Sequence, residues 1–144
     1  MKKRAAGILM HITSLDSPCG IGDLGPAAYK FADFLKKANQ TYWQILPLNP
    51  ARPAGSFSPY DCSSAFAGNS LLISPELLKK QKLITKSDLQ SCPASNPERI
   101  DYAKVSKWKN DLLQKACKNF CPDNDPAFNL FCRSAAHWLD DYSL

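Results

Sequence analysis

No apolar run in this 144-residue chain approaches the roughly 18 residues of a membrane-spanning helix. The start, Met1-Lys2-Lys3-Arg4, is basic, but no apolar core or cleavage site follows it before His11, Thr13 and Ser14. It reads as a mature cytoplasmic start, without a signal peptide or membrane association. Lysines come in small groups such as Lys36-Lys37 and Lys79-Lys80, within a net charge of +5. No block of like charge and no interleaved aromatic stripe marks a nucleic-acid surface. Six cysteines stand at 19, 62, 92, 117, 121 and 132, with no Cys-x-x-Cys pair and no histidine at zinc spacing. They read as free thiols, with Cys117 and Cys121 expected to share a helix face, and nothing signals export to an oxidising compartment. A glycine-rich phosphate cradle and a serine nucleophile elbow are both missing.

What is present fits one globular domain: 44% apolar and 22% charged residues. Ala5 to Ile12 is a short apolar run, the form of a strand buried on both faces. Gly20 to Pro26 turns the chain. Pro26 suits a first helical position, and Ala28, Phe31, Ala32 and Leu35 recur at helical spacing before Asn39 ends the helix. Thr41 to Pro47 reads as a second strand. Strand, helix and strand make a βαβ unit with parallel strands, hence an α/β class. Leu71-Leu72-Ile73 is too short to argue for a strand. Thr85 to Asp88 resembles a capping box. Val105, Trp108, Leu112, Ala116 and Phe120 form one helical stripe. Phe128, Phe131, Cys132, Ala135, Leu139 and Tyr142 form another, started by Asp125-Pro126. The chain stops at Leu144 without a capping glycine or polar tail, as a truncated product would.

The loop Gly55 to Ser70 holds Phe57, Tyr60 and Phe66 among small polar residues, directly after the second strand. Parallel α/β proteins place function at the carboxyl ends of their strands. Tyr60 can cover the C–H face of a sugar ring, while Ser58 and Asn69 hold hydroxyls. Packing is the other reading for Tyr60, and a turn residue is the other for Asn69. His11, at the end of the first strand, could meet a hydroxyl-rich ligand or be a hydrogen-bonded, half-buried histidine. His137 reads as structural. Glycoside chemistry needs two carboxyl groups, ~5–5.5 Å apart in a retaining enzyme. Asp16 and Asp23 lie in turns, Asp61 is isolated, and the adjacent Asp140 and Asp141 diverge on a helix. No catalytic residue is expected within this chain.

The loop resembles the substrate-binding loop of the amylomaltase, or disproportionating, family of 4-α-glucanotransferases, which reads Ser-Pro-Tyr and then Ala-Phe-Ala-Gly-Asn. Further blocks match in order: Arg4 to Leu9, His11 to Leu15, Gly20 to Pro26, Trp43 to Leu48 and Trp138 to Tyr142. Asp61 and Cys62 fill variable positions, and Ser70 stands where proline is common. The resemblance implies the N-terminal part of a (β/α)8 TIM barrel with a helical insertion. It divides into first βα units (1–50), a substrate-binding loop (51–73) and a mainly helical insertion returning towards the barrel (74–144). It implies transfer of α-1,4-glucan segments among maltooligosaccharides, starch or glycogen through a covalent glycosyl-enzyme, with no metal or organic cofactor. Tyr60 would be a donor-side contact with Ser58 beside it. The catalytic carboxylates would lie outside these residues, leaving the chain inactive alone. A noncatalytic glucan-binding protein and a nonfunctional truncated product are the alternatives.

Overall fold

The computed structural model describes residues 4–96 and 98–143, so the basic start at Met1–Lys3, Pro97 and Leu144 lie outside it. Two strands, β1 (Gly7–Leu9) and β2 (Tyr42–Gln44), run parallel, with Gly7 opposite Tyr42 and Leu9 opposite Gln44. Helix α1 (Pro26–Lys37) makes the crossover expected of a βαβ unit. Pro26 occupies the first turn, where a missing N–H costs nothing, and Lys36 and Lys37 face the negative end of the helix. Asn39 takes φ 54°, the left-handed stop. There Gln40 N–H donates to Leu35 O at 2.9 Å and Asn39 N–H to Lys36 O at 3.2 Å, satisfying the last carbonyls.

The expected doubly buried strand is only partly found. β1 is three residues long, and Leu9 remains 59% exposed. Ile12 leaves the strand and is buried in a 3-10 turn, Ile12–Ser14. Burying a parallel strand on both faces takes elements on both sides. Here α1 covers one side, through Phe31 set edge-on to Trp43 at 4.8 Å. Trp43 Nε1–H in turn donates to Met10 O at 2.8 Å, fixing β2 against the end of β1.

The second half is helical: α2 (Pro75–Lys80), α3 (Lys86–Gln90), α4 (Tyr102–Asn119) and α5 (Pro126–Tyr142). The capping box at α3 forms as expected, with Thr85 N–H donating to Asp88 Oδ2 at 2.7 Å. Leu71 and Leu72 lie in a 3-10 turn, Ser70–Leu72. Cys117 ends up on α4, whereas Cys121 lies beyond its end, so the two do not share a helix face. α5 is started by Asp125, whose Oδ1 accepts from Ala127 N–H at 2.9 Å and Phe128 N–H at 3.0 Å. Asp125→Ala should therefore cost about 1 kcal/mol in urea unfolding. A loss below about 0.3 kcal/mol would show that the cap does not matter. Of the stripe expected on α5, only Ala135 is buried, and Phe131 stays 47% exposed.

Three small apolar clusters form the core. Ile12, Leu15, Ala28 and Leu72 make the first, and Ile21, Leu71 and Val105 the second. Ile84, Leu112 and Ala116 make the third. Neighbouring residues Leu71 and Leu72 thus enter two different clusters, so their 3-10 turn joins the βαβ half to α4. The stripe expected on α4 is buried at Val105, Leu112 and Ala116 but also contains Lys109, which is 1% exposed. Its ammonium donates to Leu71 O and lies 3.9 Å from Asp23 Oδ2. Burial holds the Lys109 pKa down at about 8 despite the attraction of Asp23, and burial raises the Asp23 carboxyl. Among the described residues no helix is long and apolar enough to cross a membrane.

Candidate functional site

Both chain segments leaving the parallel strands emerge at the same end of the sheet. His11 follows β1, and the long loop follows β2. The loop is closed at its neck. Ala51 pairs with Cys62 in an antiparallel bridge, Arg52 N–H donates to Asp61 O at 3.2 Å, and Ser63 N–H donates to Pro50 O at 3.3 Å. Arg52 also binds the Asp61 carboxylate, with Nε 2.8 Å from Oδ1. Arg52 was not singled out in the sequence. A cation nine residues from an aspartate across a proline- and glycine-bearing turn is the signal that could have found it.

Two aromatic contacts hold the loop's shoulders. Phe57 stacks on Tyr102 of α4, with centroids 4.9 Å apart and planes 13° apart. Ser56 and Phe57 both take left-handed backbone angles, φ 54° and 58°, uncommon for residues other than glycine. Phe66 stacks on Trp138 of α5 at 6.0 Å and meets His137 edge-on at 5.8 Å. His137 itself is exposed on α5. Ser64 Oγ accepts from Phe66 N–H at 3.2 Å and Ala67 N–H at 3.1 Å, shaping the returning arm.

Tyr60 is the aromatic left over. It is 73% exposed at the tip of a loop fixed at neck and shoulders. Its N–H donates to Ser58 Oγ at 3.3 Å, so Ser58 shapes the tip beside the ring. Asn69 stands at the far end of the loop. Its Oδ1 accepts from Leu71 N–H at 3.0 Å, and its own N–H donates to Leu48 O at 2.7 Å. Its carbonyl oxygen is thus committed to the turn. His11 is half-buried, and its buried Nδ1 has no hydrogen-bond partner among the described residues. Burial lowers its pKa, which favours the neutral ring. Tyr60 and Ser58 are brought together, while Asn69 and His11 sit at the roots of the two segments. An open cleft of about 690 Å³ lies between the turn Thr13–Gly22 and a wall of Ser95, Asn96 and residues 98–102, and Ser56 also lines it.

Of the five candidate aspartates, Asp23 is committed to Lys109 and Asp61 to Arg52, while Asp16 is exposed beside the cleft. Asp140 and Asp141 are exposed on α5. No group of three or more His, Cys, Asp or Glu that could hold a metal occurs among the described residues.

Comparison with known proteins converges on one family. A family profile described as 4-alpha-glucanotransferase matches residues 10–144. The 4-alpha-glucanotransferase of Aquifex aeolicus is 47% identical over 98% of this chain and 28% of its own length. That of Thermus thermophilus is 40% identical over 98% of this chain and 28% of its own. Amylomaltase from Streptococcus agalactiae, solved in complex with acarbose, superposes with a TM-score of 0.79 at 40% identity. The match covers 98% of this chain and 27% of that one. The chain therefore spans little more than a quarter of these relatives, in keeping with the expectation that it corresponds to part of an enzyme. It belongs to the 4-alpha-glucanotransferase family.

Proposed function

We propose that this chain is the N-terminal part of a 4-α-glucanotransferase acting on α-1,4-glucans, and that its loop presents Tyr60 to the donor sugar. The observation that carries this is the exposed Tyr60 ring on a loop otherwise fixed by Arg52–Asp61, Phe57–Tyr102 and Phe66–Trp138. A loop already fixed at its neck and shoulders loses little further backbone entropy when a sugar covers the aromatic at its tip. Ser58 and the neutral His11 add hydroxyl partners on the same end of the sheet, and Asn69 can offer its amide N–H groups. The barrel reading draws support from the strands. Leu9 is 59% and Tyr42 63% exposed, the surface that neighbouring barrel elements would cover. Acarbose, present in the amylomaltase structure, is itself a sugar-like ligand in keeping with the same substrate class.

In this reading the residues here bind and orient glucan, and both catalytic carboxylates come from the remainder of the enzyme. The purified chain should show no transfer on maltotriose, and product formation by it would refute that assignment. Maltoheptaose titrated into the chain should bind, and Tyr60→Ala should weaken binding about tenfold, a step of about 1.4 kcal/mol. That is within the worth of covering one aromatic side chain. Equal affinity for both proteins would remove Tyr60 from the site.

A further inference from the structure

We propose that Cys19 and Cys92 form a reversible disulfide, a modification site that closes when the chain meets a small-molecule disulfide such as oxidised glutathione. This inference is independent of the glucan reading. All six cysteines are free in the structure, and their neighbourhoods differ. Cys19 is buried in the turn before α1, and Cys92 is half-buried just before the segment that leads to α4. The chain on either side of Cys19 touches the chain at Cys92. Cys92 Sγ lies 3.5 Å from Pro18 O. A Cβ placed on Gly20 would stand 3.3 Å from Pro93 O and 3.5 Å from Pro93 Cβ. The chain on both sides of Cys19 thus lies against Cys92 and Pro93, with the Cys92 sulfur turned towards the Pro18–Cys19 peptide. A disulfide needs this approach, with Cα atoms about 4.4–6.8 Å apart.

The chemistry assigns an order. Cys92 is the accessible thiol, whereas burial, together with Cys92 itself, pushes the Cys19 thiol up to about 12. Cys92 sulfur, as thiolate, attacks oxidised glutathione, forming a mixed disulfide and releasing one glutathione thiolate. Cys19 then loses its proton, attacks the Cys92 sulfur and displaces the second glutathione. Two cysteine thiols are oxidised, one glutathione disulfide is reduced to two thiols, and the two protons go to the leaving thiolates. The product links residues 73 positions apart. It fastens the turn holding Gly20 to the segment holding Ser95 and Asn96, the two walls of the 690 Å³ cleft. Cys117 and Cys121 are exposed, and in the same reagent they should take up glutathione.

The test is to hold the folded chain in oxidised glutathione, alkylate the remaining thiols and map the peptides. A Cys19–Cys92 cross-linked peptide that disappears on adding dithiothreitol is the expected result. Cys19→Ser should then leave glutathione trapped on Cys92. Cys19 recovered wholly as an alkylated free thiol, while Cys117 and Cys121 carry glutathione, would overturn the proposal. So would a cross-link from Cys92 to any other cysteine. The wild-type peptide map decides the question even if the variant fails to fold.

Discussion

Lys109→Met should destabilise the chain by about 3–5 kcal/mol in urea unfolding, the cost of removing one partner from a buried ion pair. Methionine keeps most of the stem and removes the ammonium. Leu71 O then loses its donor, and Asp23, 7% exposed, is left without its cation. The unpaired charge is the main cost, so the double variant Asp23→Asn with Lys109→Met should recover about half of the loss. A single-variant loss below about 1 kcal/mol would mean that the pair is energetically idle.

The same pair gives a pH signature with a definite sign. The folded-state pKa of Lys109, at about 8, lies below its ordinary value of 10.5. Below pH 8 folded and unfolded chains both hold this proton, and the folded chain bears the full cost of a buried ammonium. Between pH 8 and about 10.5 the unfolded chain binds more protons, so stability rises with pH. Asp23 works oppositely: its raised carboxyl contributes stability that is present at acid pH and lost as pH rises through the folded value. Wild type measured from pH 8 to pH 10 should therefore gain stability relative to Lys109→Met, by about 2 kcal/mol. A constant difference between the two proteins across that range would refute the buried, depressed lysine.

Gly22→Ala should be about as costly, roughly 3 kcal/mol or more, for a steric reason. Gly22 is buried, and its N–H donates to Thr13 O at 3.0 Å. A Cβ there would press into Ile12 O and stand 2.8 Å from both the N and O of Leu15. All three obstacles are backbone atoms of the turn that enters the first core cluster, so no side-chain rotation can clear them. Gly68 is the control, since a Cβ there meets nothing within 4 Å. Gly68→Ala should stay within about 0.5 kcal/mol of wild type. Similar urea midpoints for the two alanine variants would refute the packing argument.

These predictions rest on features of unequal legibility. Local chemistry could be read from the sequence. Pro26, Asn39, the Thr85–Asp88 box and Asp125 all act within four residues of their targets, and each is found in its expected role. The α4 stripe was legible at Val105, Leu112 and Ala116. Lys109 was not, because a lysine ordinarily faces water, and its partner Asp23 lies 86 positions away in sequence. Strand burial was misjudged for a related reason: an apolar run records what a strand can bury, not which neighbours are there to cover it. The exposed loop tip and Tyr60 could be anticipated, since an aromatic between Ser-Pro and polar residues has few partners nearby. The means of holding it could not, because Tyr102 and Trp138 come from helices far along the chain.

The left-handed pair Ser56–Phe57 carries a consequence for how this chain can be dissected. Two such residues in succession are held against their own preference, at a cost of about 1–2 kcal/mol each. What opposes that recoil is the Tyr102 ring, at the first residue of α4. The helical half is thus a buttress for the loop as well as a spacer after it. A peptide ending at residue 101 would retain Ser58, Tyr60 and Asn69 and still release the loop from its set shape. Pieces cut from this protein to test the proposed sugar contact of Tyr60 should therefore include α4.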